Sequence, residues 1–163
     1  MKFNYCPICG TKTQNVHLGD DFLRYCKVCN KSYQDFFYTC VIIVCVNESG
    51  KIGLIKQSYG KDRYVLVAGF MKPGESAKEA SIREIKEEIG LNVLDIKYLD
   101  SIPMEKTENL MIGFLAHVDG FINLSSEVKD IIFVDKEKAL TLLDNAKIAK
   151  SFVSMVEDND LKL

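Results

Sequence analysis

A helix that carries three glutamates on one face is the feature that most constrains this chain. The segment 69–91 reads GFMKPGESAKEASIREIKEEIGL, and Glu84, Glu87 and Glu88 stand three and four positions apart in it. Residues at this spacing share one face of a helix, and like charges there destabilise it. A solvated surface helix is the ordinary interpretation of such an amphipathic segment, but it explains the grouped charges poorly. The pattern therefore predicts a cation on this face.

The same segment carries signals for both ends of the helix. Ser76 followed by Glu79 predicts a capping box, and Gly90 predicts a left-handed stop. The apolar side of the helical wheel is expected to bury three isoleucines. These are Ile82, Ile85 and Ile89.

The segment matches every fixed position of a known motif, G-x5-E-x7-R-E-U-x-E-E-x-G-U, where U is a bulky aliphatic residue. The matching residues are Gly69, Glu75, Arg83, Glu84, Ile85, Glu87, Glu88, Gly90 and Leu91. The motif is the Nudix box, so the chain resembles the Nudix hydrolases. The resemblance implies an α/β fold, an α/β/α sandwich with a mixed sheet, and hydrolysis of a nucleoside diphosphate linked to another group.

The resemblance also implies a catalytic metal, Mg²⁺ or Mn²⁺. It assigns the ion to Glu84, Glu87 and Glu88, with help from the Gly69 carbonyl. Hard divalent cations do prefer carboxylate and carbonyl oxygens, and they can screen a diphosphate and lower the pKa of a bound water. The helical wheel points Arg83 away from the carboxylates. We therefore interpret it as an orienting partner for a glutamate, with a surface ion pair as the alternative.

Two C-x2-C pairs separated by sixteen residues lie near the amino terminus. The four residues are Cys6, Cys9, Cys26 and Cys29. This spacing favours a four-thiolate structural Zn²⁺ site. Two disulfides are the alternative, but they need an oxidising compartment, and the first five residues contain no apolar segment of a signal peptide. We expect a cytoplasmic zinc ribbon, in which His17 is a surface loop residue rather than a ligand.

Two further cysteines, Cys40 and Cys45, lie in the apolar run TCVIIVCV. Free cysteine behaves as a small buried hydrophobe, and an odd separation places two residues on opposite faces of a strand. We expect both to fill the core.

Length and charge restrict the class of protein further. The 163 residues are 47% hydrophobic, enough for one ordinary core and a small appendage. No apolar run approaches the roughly 20 residues that a membrane span needs. The net charge of −2 argues against broad electrostatic binding to nucleic acid.

The cysteine pairs predict a zinc ribbon over residues 1–34, which lack helical periodicity and are expected to form knuckles and short hairpins, and the resemblance implies a Nudix domain over residues 35–163. Strands are expected at Tyr38–Val46, Lys51–Gln57, Arg63–Ala68, Val93–Ile102, Leu110–Val118 and Ile131–Val134. Besides the helix of the box, two more are expected at Lys136–Asp144 and Lys147–Glu157, and Glu157–Asp160 is expected to be a polar stop.

A ribbon in front of a Nudix box resembles the NADH pyrophosphatase family, which splits NADH or NAD into nicotinamide mononucleotide and AMP. The resemblance covers nearly the whole chain, and an upstream domain of longer members is expected to be absent. It assigns Phe70 and Glu75 to substrate binding, with Phe70 stacking on adenine or else packing in the core. It assigns Glu127 to the metal and catalytic site, whereas an ordinary polar loop residue is the alternative. A homodimer is expected.

One segment departs from this family. Where its members carry SQPWPFPxS, this chain reads SIPMEKTEN, and Met104 stands at the tryptophan position. An ADP-ribose or nucleotide-sugar pyrophosphatase is therefore the first alternative. A non-hydrolytic nucleotide-sensing or protein-binding module is the alternative of another class. Capped RNA stays open as a substrate, although no basic stripe supports it.

Overall fold

The computed structural model describes residues 2–60 and 62–162, which form two compact units. The amino-terminal unit comprises the chain through Tyr38 together with Glu105–Asn109. The main unit comprises Thr39–Met104 and the chain from Leu110 onward. Each unit has its own sheet and its own group of chemically active side chains.

Three short antiparallel strands form the sheet of the amino-terminal unit. They are β1 (Gln14–Leu18), β2 (Asp21–Cys26) and β3 (Lys31–Tyr33). The expected short hairpins are confirmed for residues 2–34. The expectation that His17 lies in a loop is wrong, because it lies in β1, exposed and with its ring 4.1 Å from that of Phe22. This strand is short and mostly polar, so it lacks the alternation that would have predicted it.

Seven strands form the sheet of the main unit. They are β4 (Tyr38–Val46), β5 (Ile52–Gln57), β6 (Tyr64–Val65), β7 (Val67–Phe70), β8 (Asn92–Met104), β9 (Asn109–Asp119) and β10 (Val128–Val134). Five of them follow the order β10-β5-β4-β9-β8, while β6 pairs with β5 and β7 pairs with β4. The single strand expected at Arg63–Ala68 is thus two strands, because the chain changes partner at the buried Leu66.

Two hydrophobic cores lie on the two faces of this sheet. Alternate residues of β4 supply both, so Val41 and Ile43 enter one core while Ile42 and Val44 enter the other. Cys40 and Cys45 are buried in different cores, as expected. The core that contains Ile42 and Val44 also receives α2 (Lys136–Leu142) and α3 (Lys147–Met155), and the core that contains Val41 and Ile43 receives α1 (Ala77–Ile89). The α/β class with a mixed sheet is confirmed.

The carboxyl-terminal helices end earlier than the apolar pattern predicts, at Leu142 and Met155. The polar stop expected at Glu157–Asp160 is instead a short 3₁₀ helix, Asp158–Leu161. A box of mutual side-chain and backbone hydrogen bonds between Glu157 and Asp160 starts it. Among the described residues, no helix has the length and apolarity to span a bilayer.

Helix α1 has the expected ends. The Ser76 hydroxyl accepts from the Glu79 N–H at 3.2 Å, and the Glu79 carboxylate accepts from the Ser76 N–H at 2.8 Å. Gly90 ends the helix with a left-handed φ of 76°. Both signals read from the sequence are confirmed.

The buried face of α1 is rotated from the expected one. Ile85 and Ile89 are buried, but Ile82 is 38% exposed, while Glu84 and Glu88 are buried. On a wheel of 3.6 residues per turn, Glu88 lies near the middle of the buried arc. The carboxylates therefore do not lie opposite the core, and two of them point toward the sheet.

Candidate functional site

The amino-terminal unit brings the four cysteines of the C-x2-C pairs together. Their Sγ atoms all lie within 4.8 Å of one another, and all four are free thiols. Cys6 and Cys29 lie 3.9 Å apart, and Cys9 and Cys26 lie 3.6 Å apart. A disulfide would need about 2.05 Å, whereas a tetrahedron with Zn–S distances of about 2.3 Å has edges of about 3.8 Å. The donor set and its spacing fit a tetrahedral metal and exclude disulfide pairing.

Hydrogen bonds lower the pKa of one of these thiols, whereas contact with a neighbouring thiol raises the pKa of another. Burial opposes ionisation of Cys6, but hydrogen bonds from the Tyr33 hydroxyl, at 3.2 Å, and from backbone N–H groups lower its pKa to about 6. The contact with Cys9, followed by burial, raises the pKa of Cys29 to about 12. Four thiolates therefore cannot form side by side unless a cation compensates their charge.

In the main unit, Arg83 joins the acidic residues of the Nudix box into one network. Its Nε and Nη2 atoms donate to both oxygens of Glu75, at 2.9 and 2.7 Å. Its Nη1 atom donates to Glu84 at 2.6 Å and to Glu87 at 3.0 Å, and Nη2 also donates to the Phe70 carbonyl at 3.1 Å. These contacts use all five donors of a guanidinium group. The helical wheel was misleading, because this long side chain bends back to the carboxylates.

The network also fixes the charge of two glutamates. The hydrogen bonds from Arg83, helped by the Lys72 N–H, lower the pKa of Glu75 to about 2. The hydrogen bond from Arg83 likewise lowers the pKa of Glu87. Glu75 thus acts on Arg83, and no contact with a substrate is needed to explain its position.

Gly69 leaves the space in which the Glu84 carboxylate lies. A Cβ atom at position 69 would collide with both carboxylate oxygens of Glu84. Gly69 belongs to β7, where it pairs with Val41 of β4. The glycine of the motif therefore lets the helix pack closely on the strand and places the Gly69 backbone beside a candidate ligand.

The surroundings of Glu88 favour a positively charged partner for its carboxyl group. It is only 6% exposed, and its Oε2 atom has no hydrogen-bond partner among the described residues. Burial, together with the negative charges of Glu84, Glu127 and Glu87, raises its pKa to about 8. A buried carboxyl group without a partner is costly. Its surroundings fit a divalent cation, which carboxylate oxygens bind well.

Backbone contacts place Glu127 near this group. The loop before β10 is attached to the helix by a hydrogen bond from the Ser125 N–H to the Glu88 carbonyl, at 3.0 Å. Ser58 holds the loop from the other side, donating through its N–H to the Glu127 carbonyl and through its hydroxyl to the Ser126 carbonyl, at 2.8 and 2.7 Å. Sequence reasoning missed Ser58, because it lies in no motif and is 68 residues from its partner.

A cavity of about 470 Å³ opens on the other face of β7. Ala68 lines it, whereas the next residue, Gly69, contacts Glu84 on the opposite face. Met104, which stands where the NADH pyrophosphatase family has a tryptophan, also lines this cavity. Phe70 follows on β7, with 59% of its surface exposed. The volume lies within the range of small-molecule sites.

The α/β/α sandwich, with a glycine packed against a helix that carries the carboxylates, is typical of one class of protein. Comparison with known proteins identifies that class. The NUDIX domain model matches residues 37–155, and the chain belongs to the Nudix family. Among solved structures, a NUDIX hydrolase from Nitrosomonas europaea has a TM-score of 0.70 at 19% identity, covering 93% of this chain and 86% of its own. At that identity the likeness shows the fold alone.

Several relatives of known name are NAD-capped RNA hydrolases. An NAD-capped RNA hydrolase NudC from Photobacterium profundum is 29% identical over 153 residues, which are 92% of this chain and 56% of the relative. The protein of the same name from Haemophilus influenzae is 35% identical over 133 residues, 77% of this chain and 49% of the relative. NAD-capped RNA hydrolase NUDT12 from Pongo abelii is 29% identical over 162 residues, 93% of this chain and 35% of the relative. The chain spans about half the length of the bacterial relatives.

Proposed function

We propose that this chain is a metal-dependent pyrophosphohydrolase that cleaves the diphosphate bond of a dinucleotide or another nucleoside-diphosphate conjugate. The observation that carries the proposal is the buried carboxyl group of Glu88, whose Oε2 atom has no hydrogen-bond partner among the described residues, beside three further glutamates. Mg²⁺ or Mn²⁺ would be held by Glu84, Glu87, Glu88 and Glu127, with help from the Gly69 carbonyl. When bound, such ions screen the charge of the diphosphate and lower the pKa of an attacking water.

The protein's own residues give this site its shape. Arg83 holds the carboxylates of Glu84 and Glu87 in fixed positions, and Glu75 fixes Arg83 by a bidentate contact. This contact supports an orienting role for Glu75 in place of the substrate contact that the sequence suggested. The exposed Phe70 would stack on the base of the substrate, since it follows Ala68 along the strand that lines the cavity.

The names of the relatives support a substrate of the NAD type. The finer proposal is cleavage of NADH or NAD to nicotinamide mononucleotide and AMP. NAD attached to RNA contains the same diphosphate bond. Met104 in the cavity favours a second candidate, an ADP-ribose or nucleotide-sugar pyrophosphatase, because a flexible side chain replaces a rigid aromatic one.

A substrate panel tests the proposal. The purified protein with Mg²⁺ or Mn²⁺ is given NADH, NAD, NAD-capped RNA, ADP-ribose, a nucleotide sugar and a diadenosine polyphosphate, and products are separated by chromatography. We expect cleavage of an adenine-containing diphosphate. Binding of these compounds without turnover of any of them would instead identify a nucleotide-sensing module.

We further propose that residues 1–34 form a zinc ribbon in which Cys6, Cys9, Cys26 and Cys29 hold one structural Zn²⁺. The Sγ separations support it, and residues 35–163 then form the Nudix domain. Reduced thiols of this kind support a cytoplasmic location. The family resemblance supports a homodimer, which light scattering after size-exclusion chromatography would measure.

A further inference from the structure

The cavity beside β7 has a rim that carries only positive charge. The polar residues described on its lining are Gln57, Arg63, Asn145 and Lys147, and none of the described lining residues is a carboxylate. The whole chain has a net charge of −2, so a cavity lined by two cations and no acid departs from the average surface.

In the part of the chain that the structure describes, neither of these two cations is paired with an acid. Arg63 donates through Nη1 to the Asn145 carbonyl at 2.5 Å, which leaves four of the five guanidinium donors. Within residues 2–60 and 62–162, neither Arg63 nor Lys147 forms a salt bridge with a carboxylate. By contrast, Lys150, one turn further along α3, pairs with Asp144 at 2.5 Å.

The position of the cavity separates these charges from the carboxylate cluster. Ala68 faces the cavity, and its neighbour Gly69 faces Glu84. The diphosphate of a substrate would be bound at the carboxylate cluster, so the cations at the cavity are placed to meet a different anionic group. A volume of about 470 Å³ accommodates a nucleoside with one attached phosphate.

We propose that this cavity binds a nucleoside whose ribose carries a further phosphate, distinct from the diphosphate that is cleaved, and that Arg63 and Lys147 bind that phosphate. The inference rests on the proposed function. Arginine suits it because its planar donors match two phosphate oxygens, and lysine adds a point charge. Such a phosphate has two sources: the 2′-phosphate of a free dinucleotide, or the 3′-phosphate through which a nucleotide continues into nucleic acid.

Calorimetry with three ligands tests the proposed phosphate site by binding alone, so that no hydrolysis is needed. AMP, adenosine 2′,5′-bisphosphate and adenosine 3′,5′-bisphosphate are titrated into the full chain in the absence of divalent cations. We expect at least one bisphosphate to bind about tenfold more tightly than AMP. Tighter binding of the 2′,5′ compound assigns the site to free dinucleotides, and tighter binding of the 3′,5′ compound assigns it to the end of a nucleic acid.

Variants locate the effect. Combining Arg63→Gln with Lys147→Gln should reduce the preference for the bisphosphate to within about twofold, while Lys138→Gln, which removes an exposed charge from α2, should leave it unchanged. Equal binding of AMP and both bisphosphates, no binding of any of the three, or a preference that survives in the double variant would overturn the proposal. Because none of these ligands contains a diphosphate, a lack of hydrolytic activity would not affect the result.

Discussion

The two clusters of candidate metal ligands in this protein differ in how completely they are closed. The four thiols of the amino-terminal unit are mutually within 4.8 Å and fill a tetrahedron, which leaves no position for water. The carboxylates of the main unit range from the buried Glu88 to the exposed Glu87 and Glu127. An ion held there keeps positions for water and phosphate. The difference supports the proposal that one cluster stabilises structure and the other performs chemistry.

The largest effect is expected at the closed cluster. Cys26→Ser removes one of four ligands, and structural zinc contributes about 10–16 kcal/mol of apparent binding free energy to such folds. We expect loss of the roughly one zinc per chain, together with disorder of β1, β2 and β3 in NMR spectra, while the main sheet stays folded. Cys40→Ala, a buried cysteine outside the cluster, should retain the zinc. A zinc-free Cys26→Ser protein with an intact ribbon would contradict a structural role for the zinc ion.

The next effect is expected at the open cluster. Glu87→Gln removes one charge while preserving shape, and we expect kcat to fall by about 100-fold or more, or ~2.7 kcal/mol, because the metal loses a ligand. Glu88→Gln should behave in the same way. Thermal unfolding should change little for Glu87→Gln, and Glu137→Gln on α2 serves as the matched control. Near-normal turnover of Glu87→Gln at saturating metal would show that this glutamate is not a ligand.

A smaller effect is expected for the residue that supports the cluster. Glu75→Gln deprives Arg83 of its bidentate partner, so we expect kcat to fall by about tenfold, or ~1.4 kcal/mol. Its effect on stability should depend on pH. The folded pKa of Glu75, about 2, lies below the ordinary value of about 4.3, so its stabilising contribution is complete above the ordinary value and is lost as pH falls through the folded one.

Thermal unfolding of wild type and Glu75→Gln at several pH values measures this dependence. Wild type should be the more stable protein at pH 7, and the difference should shrink steadily as pH falls from about 5 toward about 2. A difference that is constant over this range would mean that the charge of Glu75 does not contribute.

The smallest effect is expected in substrate choice. Because Met104 provides a flexible wall where the resembling family has tryptophan, we expect kcat/KM for NADH and for ADP-ribose to lie within about tenfold of each other, or ~1.4 kcal/mol. Met104→Trp should increase the preference for NADH by a few-fold. A thousandfold preference for NADH in wild type would show that this segment does not control recognition.

The two clusters also differ in how far the sequence predicted them. The sequence predicted that the four cysteines would meet, because side chains at short spacings need only local turns to come together, and bound zinc stays a prediction. For the carboxylate cluster the sequence predicted the helix and its ends, since capping and periodicity are local. It did not predict that Glu88 would lie at the middle of the buried face, because the packing partner of a helix is not encoded in the helix.

Contacts between distant segments account for the other omissions. Ser58 holds the loop of Glu127 across 68 residues, and Arg63 and Lys147 meet at one cavity from different elements. The switch of strand partner at Leu66 likewise depends on the positions of β4 and β5. No local pattern marks any of these residues.

One measurement tests the contrast between the closed and open clusters most directly. The protein is dialysed against a mild chelator, and hydrolysis of the best diphosphate substrate, zinc content and circular dichroism are recorded before dialysis, after it, and after Mg²⁺ or Mn²⁺ is added. We predict that activity falls to about 1% or less and returns with the added ion, while about one zinc per chain and the fold persist throughout. Full activity in the chelator, with zinc as the only metal present, would contradict the account.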